Sequence, residues 1–191
     1  MNCVLTQIAA DIQRDCNVNP QAGLFDEVVV INYDDVDFSG STMDADGLTL
    51  TDLKLKTGKR GYKLGGIKDM HHLSFELAKG KFGKYYKHKY AGVLLNPDKE
   101  ARAELLKLLG GKVIVVGRRK YNGTAQFVVA GWTMGLEASA HTLDTNANNG
   151  VETFELATPE IEDSGEVKPF LTLLEGNVDA TATAFENGFA S

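Results

Sequence analysis

The segment from Lys112 to Gly131 has the sequence KVIVVGRRKYNGTAQFVVAG and carries the strongest local structural signal in the chain. Two apolar runs, 113–116 and 125–131, lie on either side of the pair Asn122-Gly123. Asn-Gly pairs favour the tight turn of a β-hairpin, because both residues tolerate a positive φ. The segment therefore predicts two antiparallel strands joined by a turn over residues 120–123.

A single clear helix is predicted immediately before this hairpin, over Asn96–Leu109. Asn96 is suited to cap its N-terminus, and a proline and two acidic residues follow where the start of a helix favours them. Leucines and alanines recur at helical spacing as far as Leu109. Gly110-Gly111 then ends the helix.

Most of the remaining chain favours strands. The run Val28-Val29-Val30-Ile31 is β-branched throughout, which is typical of a buried strand. Residues 1–15 have apolar side chains at helical spacing and predict a short helix. Further strands are predicted where apolar residues alternate or cluster between turn residues, over 48–55, 73–77, 85–95, 151–157 and 170–174.

These elements predict a mainly β, α+β fold, either an antiparallel β-sandwich or a small barrel with one flanking helix. Strands and helices do not alternate regularly, so a doubly wound parallel sheet is not expected. We predict one domain over residues 1–175, with a long basic, glycine-rich loop around 54–68. Residues 176–191 are small and polar, and they predict a mobile C-terminal arm.

The net charge of −6 over 191 residues conceals a strong segregation of charge along the chain. Residues 1–53 carry ten acids and one base, and residues 137–191 carry eleven acids and one base. Between them, residues 54–90 carry eleven bases and two acids. A basic middle between acidic ends suggests a role in contacts between molecules.

No pattern typical of a catalytic or metal site is present. His71, His72 and His88 near Asp69 come closest to a metal cluster, but adjacent histidines on a strand point to opposite faces. The glycines and lysines of 58–66 lack the spacing of a phosphate-binding loop, and no serine lies in a Gly-x-Ser-x-Gly turn. We therefore predict a protein that is not an enzyme, with no cofactor and no metal.

The cysteine content and the hydropathy exclude other classes of protein. Cys3 and Cys16 are the only cysteines, too few for a disulfide scaffold or a four-cysteine zinc site. No run of 18 apolar residues predicts a membrane span. The N-terminus lacks the basic start and apolar stretch of a signal peptide.

Lysines alternate with aromatic residues in the second half of the basic segment, between Lys81 and Tyr90. Such a pattern could bind a phosphate backbone and stack bases, so a nucleic-acid-binding protein is one hypothesis. A strand with packed tyrosines and solvated lysines is another. A third is a docking face for the acidic surface of a second copy, which the chain itself could supply.

The order of these elements resembles that of the tail tube and neck ring proteins of tailed bacteriophages, especially phages of Bacteroidetes hosts, including the crAss-like group. Three segments carry the resemblance. The first runs from Asn2 to Cys16 and on through Pro20–Leu24 to the strand Glu27–Asn32. The second is the helix from Asp98 with the strand and Asn-Gly turn that follow it, as far as Gly123. The third is Phe127–Ser139, which contains a strand ending in a glycine, followed by Gly150–Glu160.

The resemblance implies a virion structural protein located in the tail or neck and made in the host cytoplasm. Its subunits would form a homo-oligomeric ring, expected to be hexameric, whose inner strands join into one continuous barrel. Rings would stack head to tail, and DNA would pass through the lumen without specific binding. Partners would be further copies and other neck or tail proteins, with no membrane involved.

The charge pattern suggests which residues would meet between rings. We predict that the loop beginning at Lys54 contacts an acidic loop, 160–166 or 34–46, of the next ring. Charge reversal of three of its cations would then abolish stacking and leave the subunit folded. The candidate contact residues are Lys54, Lys56, Lys59, Arg60, Lys63, Glu160, Glu162, Asp163 and Glu166.

Overall fold

A computed structural model of the chain describes residues 21–66, 70–81, 83–95, 98–120, 123–144, 146 and 151–190. The predicted helix over 1–15, both cysteines and Asp69 lie outside these residues. The described strands are β1 (Leu24–Asn32), β2 (Thr42–Met43), β3 (Thr49–Asp52), β4 (Tyr62–Gly65), β5 (His72–Gly80), β6 (Gly83–Leu94), β7 (Val113–Arg119), β8 (Phe127–Ala130), β9 (Glu137–Leu143), β10 (Glu152–Ala157) and β11 (Leu171–Leu173). The described helices are α1 (Lys99–Gly110), α2 (Val178–Glu186) and a 3₁₀ turn (Tyr33–Asp35).

The predicted hairpin forms the middle of a seven-stranded sheet with the order β2-β3-β11-β8-β7-β1-β4. β7 and β8 pair antiparallel, with Val116 opposite Val129, which confirms the two predicted strands. Tyr121 and Asn122 of the predicted turn lie outside the described residues. On its other side β7 pairs with β1, where Val29 lies opposite Val116. β11 comes from the far end of the chain and pairs antiparallel with β8 and parallel with β3.

Both faces of this sheet are buried, which explains the unbroken apolar run in β1. Val29 and Ile31 contribute to one core, which also contains Phe185 of α2. Val28 and Val30 point the other way, into a second core that the seven-stranded sheet shares with the second sheet and α1. The molecule therefore has three layers, with the seven-stranded sheet in the middle.

The second sheet has four strands in the order β5-β6-β10-β9, all antiparallel. In β6, His88 and Tyr90 are buried while Lys87 and Lys89 are exposed, as the alternation in the sequence predicts. The mainly β, α+β class is confirmed. The two described sheets stay open, so the fold is a sandwich and not the alternative small barrel.

Helix α1 begins three residues later than predicted. Its N-cap is Asp98, whose carboxylate accepts a hydrogen bond from the Ala101 amide at 2.7 Å. The predicted cap, Asn96, lies outside the described residues. Leu105 is buried in the second core, and the helix ends at the predicted Gly110-Gly111 pair. No helix among the described residues is long and apolar enough to cross a membrane.

The prediction of a mobile C-terminal arm is wrong, because residues 178–186 form α2. The Asn177 side chain caps this helix by accepting from the Ala180 amide. Phe185 and Phe189 are buried against Phe127 and the rest of the first core. Small residues in this segment let the helix pack closely on the sheet, and two aromatic side chains supply its apolar contacts.

The basic loop is also more ordered than its composition predicts. Leu53 and Leu55 are buried in the first core, and Leu55 forms an isolated bridge with Val36. Further on, β4 pairs with β1, with Tyr62 opposite Val30. Two leucines and one short strand therefore hold the ends of the lysine-rich segment against the sheet.

Candidate assembly interface

The four-stranded sheet has two long free edges. β5 and β9 are its outermost strands, nine and seven residues long, and within the described residues neither has a partner on its outer side. All seven residues of β9 are exposed. On β5, Phe75 and Leu77 are 46% and 50% exposed. A free edge presents a row of unpaired backbone N–H and C=O groups, which is a template for another strand.

Around Lys87 and Lys89, the outward face of this sheet consists mainly of small and charged side chains. A concave basin of about 760 Å³ lies on it. Lys89 forms a 2.7 Å ion pair with Glu155 of the neighbouring strand, and Glu76 lies directly opposite Lys87. Neither core includes a residue of this face. Its basic and acidic groups therefore largely offset one another across the strands. The residues that line the basin include Ser74, Glu76, Lys87, Lys89, Glu137 and Ser139.

A buried histidine holds the inner face of β6 in place. The Gly131 amide donates to Nδ1 of His88 at 3.1 Å, and Nε2 lies 3.0 Å from the Lys168 carbonyl. A neutral ring with its proton on Nε2 satisfies both bonds. Burial lowers the pKa of His88 to about 4, so the ring is neutral at neutral pH. His88 is therefore a structural residue that ties β6 to the chain segments after β8 and before β11.

The other two histidines of the predicted cluster are separated by the pleat of the strand. His71 is buried, and its Nδ1 lies 2.7 Å from the Tyr90 hydroxyl. Burial lowers the pKa of His71 and raises that of Tyr90. His72, the next residue, is exposed. The opposite orientation of adjacent histidines is the one that strand geometry predicts.

Glu152 is a buried carboxylate that the sequence analysis did not single out. It is 2% exposed and lies 2.7 Å from Nε of Arg102 on α1 and 3.2 Å from Nε2 of His141 on β9. These contacts join α1, β10 and β9 around one carboxylate. Removing either partner would leave a buried charge uncompensated and would destabilise the fold. The signal in the sequence was an acidic residue at an inward position of an otherwise alternating strand.

The structure places the predicted contact lysines against acidic residues of the same chain. Lys59 forms a 2.9 Å ion pair with Asp35, and Lys56 donates to the Asp34 carbonyl at 2.6 Å. Hydrogen bonds from Asn32 and Lys59 hold the pKa of Asp35 below its ordinary value. The pairing that charge segregation predicted between rings, 54–60 against 34–46, therefore occurs within one subunit.

Two of the remaining predicted contact cations, Lys54 and Lys63, also lie next to acidic residues of the same chain. Lys54 lies 3.2 Å from Asp52, and Lys63 lies 3.1 Å from Glu27 and also contacts Glu186. Arg60 differs, because its guanidinium lies 5.6 Å from the centre of the Tyr62 ring. Charge segregation along the sequence thus brings opposite charges together in the fold of one chain.

The predicted acidic contacts divide into a buried residue and three exposed ones. Glu166 is 1% exposed, and its two carboxylate oxygens accept hydrogen bonds from the Thr133 and Met134 amides at 2.7 and 2.8 Å. It fixes the turn after β8 and is not part of the surface that another ring could reach. The exposed residues are Glu160, Glu162 and Asp163.

The acidic loop around these residues lies along β6 of the same chain. Glu166 and Tyr86 exchange backbone hydrogen bonds at 2.8 and 2.9 Å, and the Thr158 amide donates to the His88 carbonyl. The Asp163 carboxylate accepts from the Lys81 amide at 2.9 Å. The loop therefore continues the sheet beyond the end of β10, beside the basic hairpin of β5 and β6.

No family model, no curated protein and no solved structure matches the chain.

Proposed function

We propose that the chain is a ring-forming subunit of the tail tube or neck of a tailed bacteriophage virion, with no catalytic role. One observation carries the proposal: within the part of the chain that the structure describes, the four-stranded sheet has free edges on both sides and an outward face that belongs to neither core. The same sheet is otherwise well anchored, by His88, Glu152 and Tyr90 on its inner face. It is an anchored surface whose two outer strands have no partner on their outer side among the described strands.

Free edges of this length are hazardous in an isolated protein, because any exposed strand can pair with them. A ring removes the hazard, since the β5 edge of each copy meets the β9 edge of the next and the sheet closes on itself. The two edges differ in sequence, so their contact is heterologous and leads around a ring instead of ending at a dimer. The outward face of the sheet then lines the lumen.

The charges of that face suit a channel for DNA. Its lysines, Lys87 and Lys89, lie against Glu76 and Glu155, and Glu137 forms a 3.2 Å ion pair with Lys112. A lining without surplus positive charge gives the phosphate backbone no array of cations to hold. Duplex DNA would therefore slide through without specific binding.

Electron microscopy of the purified protein tests the proposal, with Ser139→Pro as the informative variant. Ser139 is the extra residue of a β-bulge, where the register of β9 against β10 shifts between Ala138 and Ala140. Proline is tolerated at bulges and edges, but it removes an N–H and obstructs pairing on the free side. We expect rings or tubes from the wild type and folded, unassembled subunits from the variant.

Ser139→Thr is the matched control, because it keeps the N–H and favours extended backbone. It should assemble like the wild type. A wild-type protein that remains monomeric at every concentration in sedimentation would contradict the proposal.

The nucleic-acid-binding alternative has less support from the contacts. Lys59, Lys63 and Lys89, which a phosphate backbone would need, each form an ion pair with an acid of the same chain. A salt-dependent gel shift produced by the monomer would favour this alternative over a ring subunit.

A further inference from the structure

An apolar groove of about 600 Å³ runs between α1 and β4, the outermost strand of the seven-stranded sheet. Tyr62 stands at its mouth and is 52% exposed. A groove lined mainly by apolar side chains favours an apolar occupant, because filling it removes apolar surface from water. Its apolar lining includes Val30, Leu64, Leu94, Leu105, Leu108 and Phe154.

The charged residues at the rim are already neutralised within the subunit. Lys107 forms a 2.6 Å ion pair with Glu104, and Lys63 pairs with Glu27. An apolar group that covered the groove would therefore leave no unpaired charge beneath it. This is the arrangement of a protein interface, with an apolar centre and a polar rim.

The same helix carries an exposed apolar residue on its opposite side. Leu106 is 65% exposed, the most of any large apolar side chain in the described residues. At 100° per residue it projects about 150° away from the groove-lining positions 101, 104, 105 and 108. One turn earlier on α1, Arg102 forms an ion pair with Glu152 of β10. Leu143, which lies opposite Glu152 on β9, is 47% exposed.

We propose that Leu106 of one copy inserts into the groove between α1 and β4 of the next copy, as part of the ring contact. A subunit cannot fill its own groove with its own Leu106, because the two lie on opposite sides of one helix. The contact is therefore intermolecular and heterologous, and it repeats from copy to copy in the same sense as the pairing of β9 with β5. The inference rests on the proposed ring and names the second copy as the occupant of the groove.

Mixed single-cysteine chains provide the direct test. Cys3 and Cys16 are replaced by serine, and Leu106→Cys and Tyr62→Cys are introduced into separate chains. After mixing and mild oxidation, we expect a disulfide-linked dimer at least tenfold more abundant than with Leu48→Cys in place of Leu106→Cys. Leu48 is 45% exposed and precedes β3, at the other side of the seven-stranded sheet, so it is the matched control.

Equal yields from the two mixtures, or a larger yield from Leu106→Cys alone, would overturn the proposal. Sedimentation of Leu106→Glu separates its failure from that of the ring. If the wild type forms rings and Leu106→Glu forms them equally well, the groove contact is wrong and the ring stands. If the wild type forms no rings but the mixed chains cross-link, the groove contact stands and the ring is wrong.

Discussion

At the scale of single residues, His88 couples the stability of the fold to pH. Its pKa of about 4 lies below the ordinary value of 6.5, so the unfolded chain binds a proton that the folded chain refuses between these pH values. The contribution of His88 is complete above pH 6.5 and declines as the pH falls towards 4. Linkage puts the loss at pH 4 at about 3 kcal/mol.

We therefore expect His88→Gln to flatten the decline in stability between pH 6.5 and pH 4, measured by urea unfolding at each pH. The variant should be less stable than the wild type at pH 7, by about 1–3 kcal/mol, because a glutamine amide does not reproduce the ring's two bonds to the Gly131 amide and the Lys168 carbonyl. His72→Gln, at an exposed position, should keep the wild-type slope. An unchanged slope in His88→Gln would show that other groups cause the decline.

Lys59 and Arg60 are adjacent cations with different surroundings, and reversing each separately distinguishes folding from assembly. Lys59→Glu would place a carboxylate beside Asp35 and should lower the melting temperature slightly, as expected for a surface pair. Arg60→Glu removes the contact of the guanidinium with the exposed Tyr62 ring and should leave the melting temperature nearly unchanged. Differential scanning calorimetry measures both, and equal melting temperatures would contradict the role given to the Lys59–Asp35 pair.

At the scale of elements, α2 is the part of the structure that composition concealed. Phe185 is 3% exposed and lies 5.3 Å, between ring centres, from Phe127 of the central sheet. Truncating it to alanine removes the main contact between the helix and the sheet. We expect Phe185→Ala to lower the free energy of unfolding by about 3–5 kcal/mol in denaturant titrations.

Thr183→Ala is the control within the same helix. Thr183 is exposed and bonds only to the Asp179 carbonyl, one turn earlier in α2. Its replacement should change stability by less than about 1 kcal/mol, because alanine favours helix. If both variants unfold like the wild type, α2 does not contribute to the core as the structure indicates.

At the scale of the whole molecule, local patterns predicted the strands well and the long-range contacts poorly. The pairing of the strands on either side of Asn122-Gly123, the strand of four β-branched residues and the alternation in β6 all follow from neighbouring residues, and all are confirmed. The packing of α2 depends on two aromatic residues among small ones, and no local period reveals which surface they meet. Composition alone therefore suggested an arm where the structure has a helix.

The candidate site shows the same division between local and long-range information. Charge counts along the chain located the acidic and basic segments correctly but could not tell contacts within a subunit from contacts between subunits. Lys59 and Asp35 are 24 residues apart and Lys63 and Glu186 are 123 apart, and only the fold brings each pair together. The free edges of β5 and β9 could not be located either, since strand order in a sheet is a property of the whole topology.

The position of β11 in the central sheet has a consequence for the order of events during synthesis. Among the described strands, β2 and β3 join the rest of that sheet only through Leu171–Leu173, which follow every other described strand along the chain. A nascent chain that has already formed its hairpins still lacks the strand that connects them. A chain truncated before residue 171 would remain incomplete in its central layer, so the central sheet is finished only after β11 has been added.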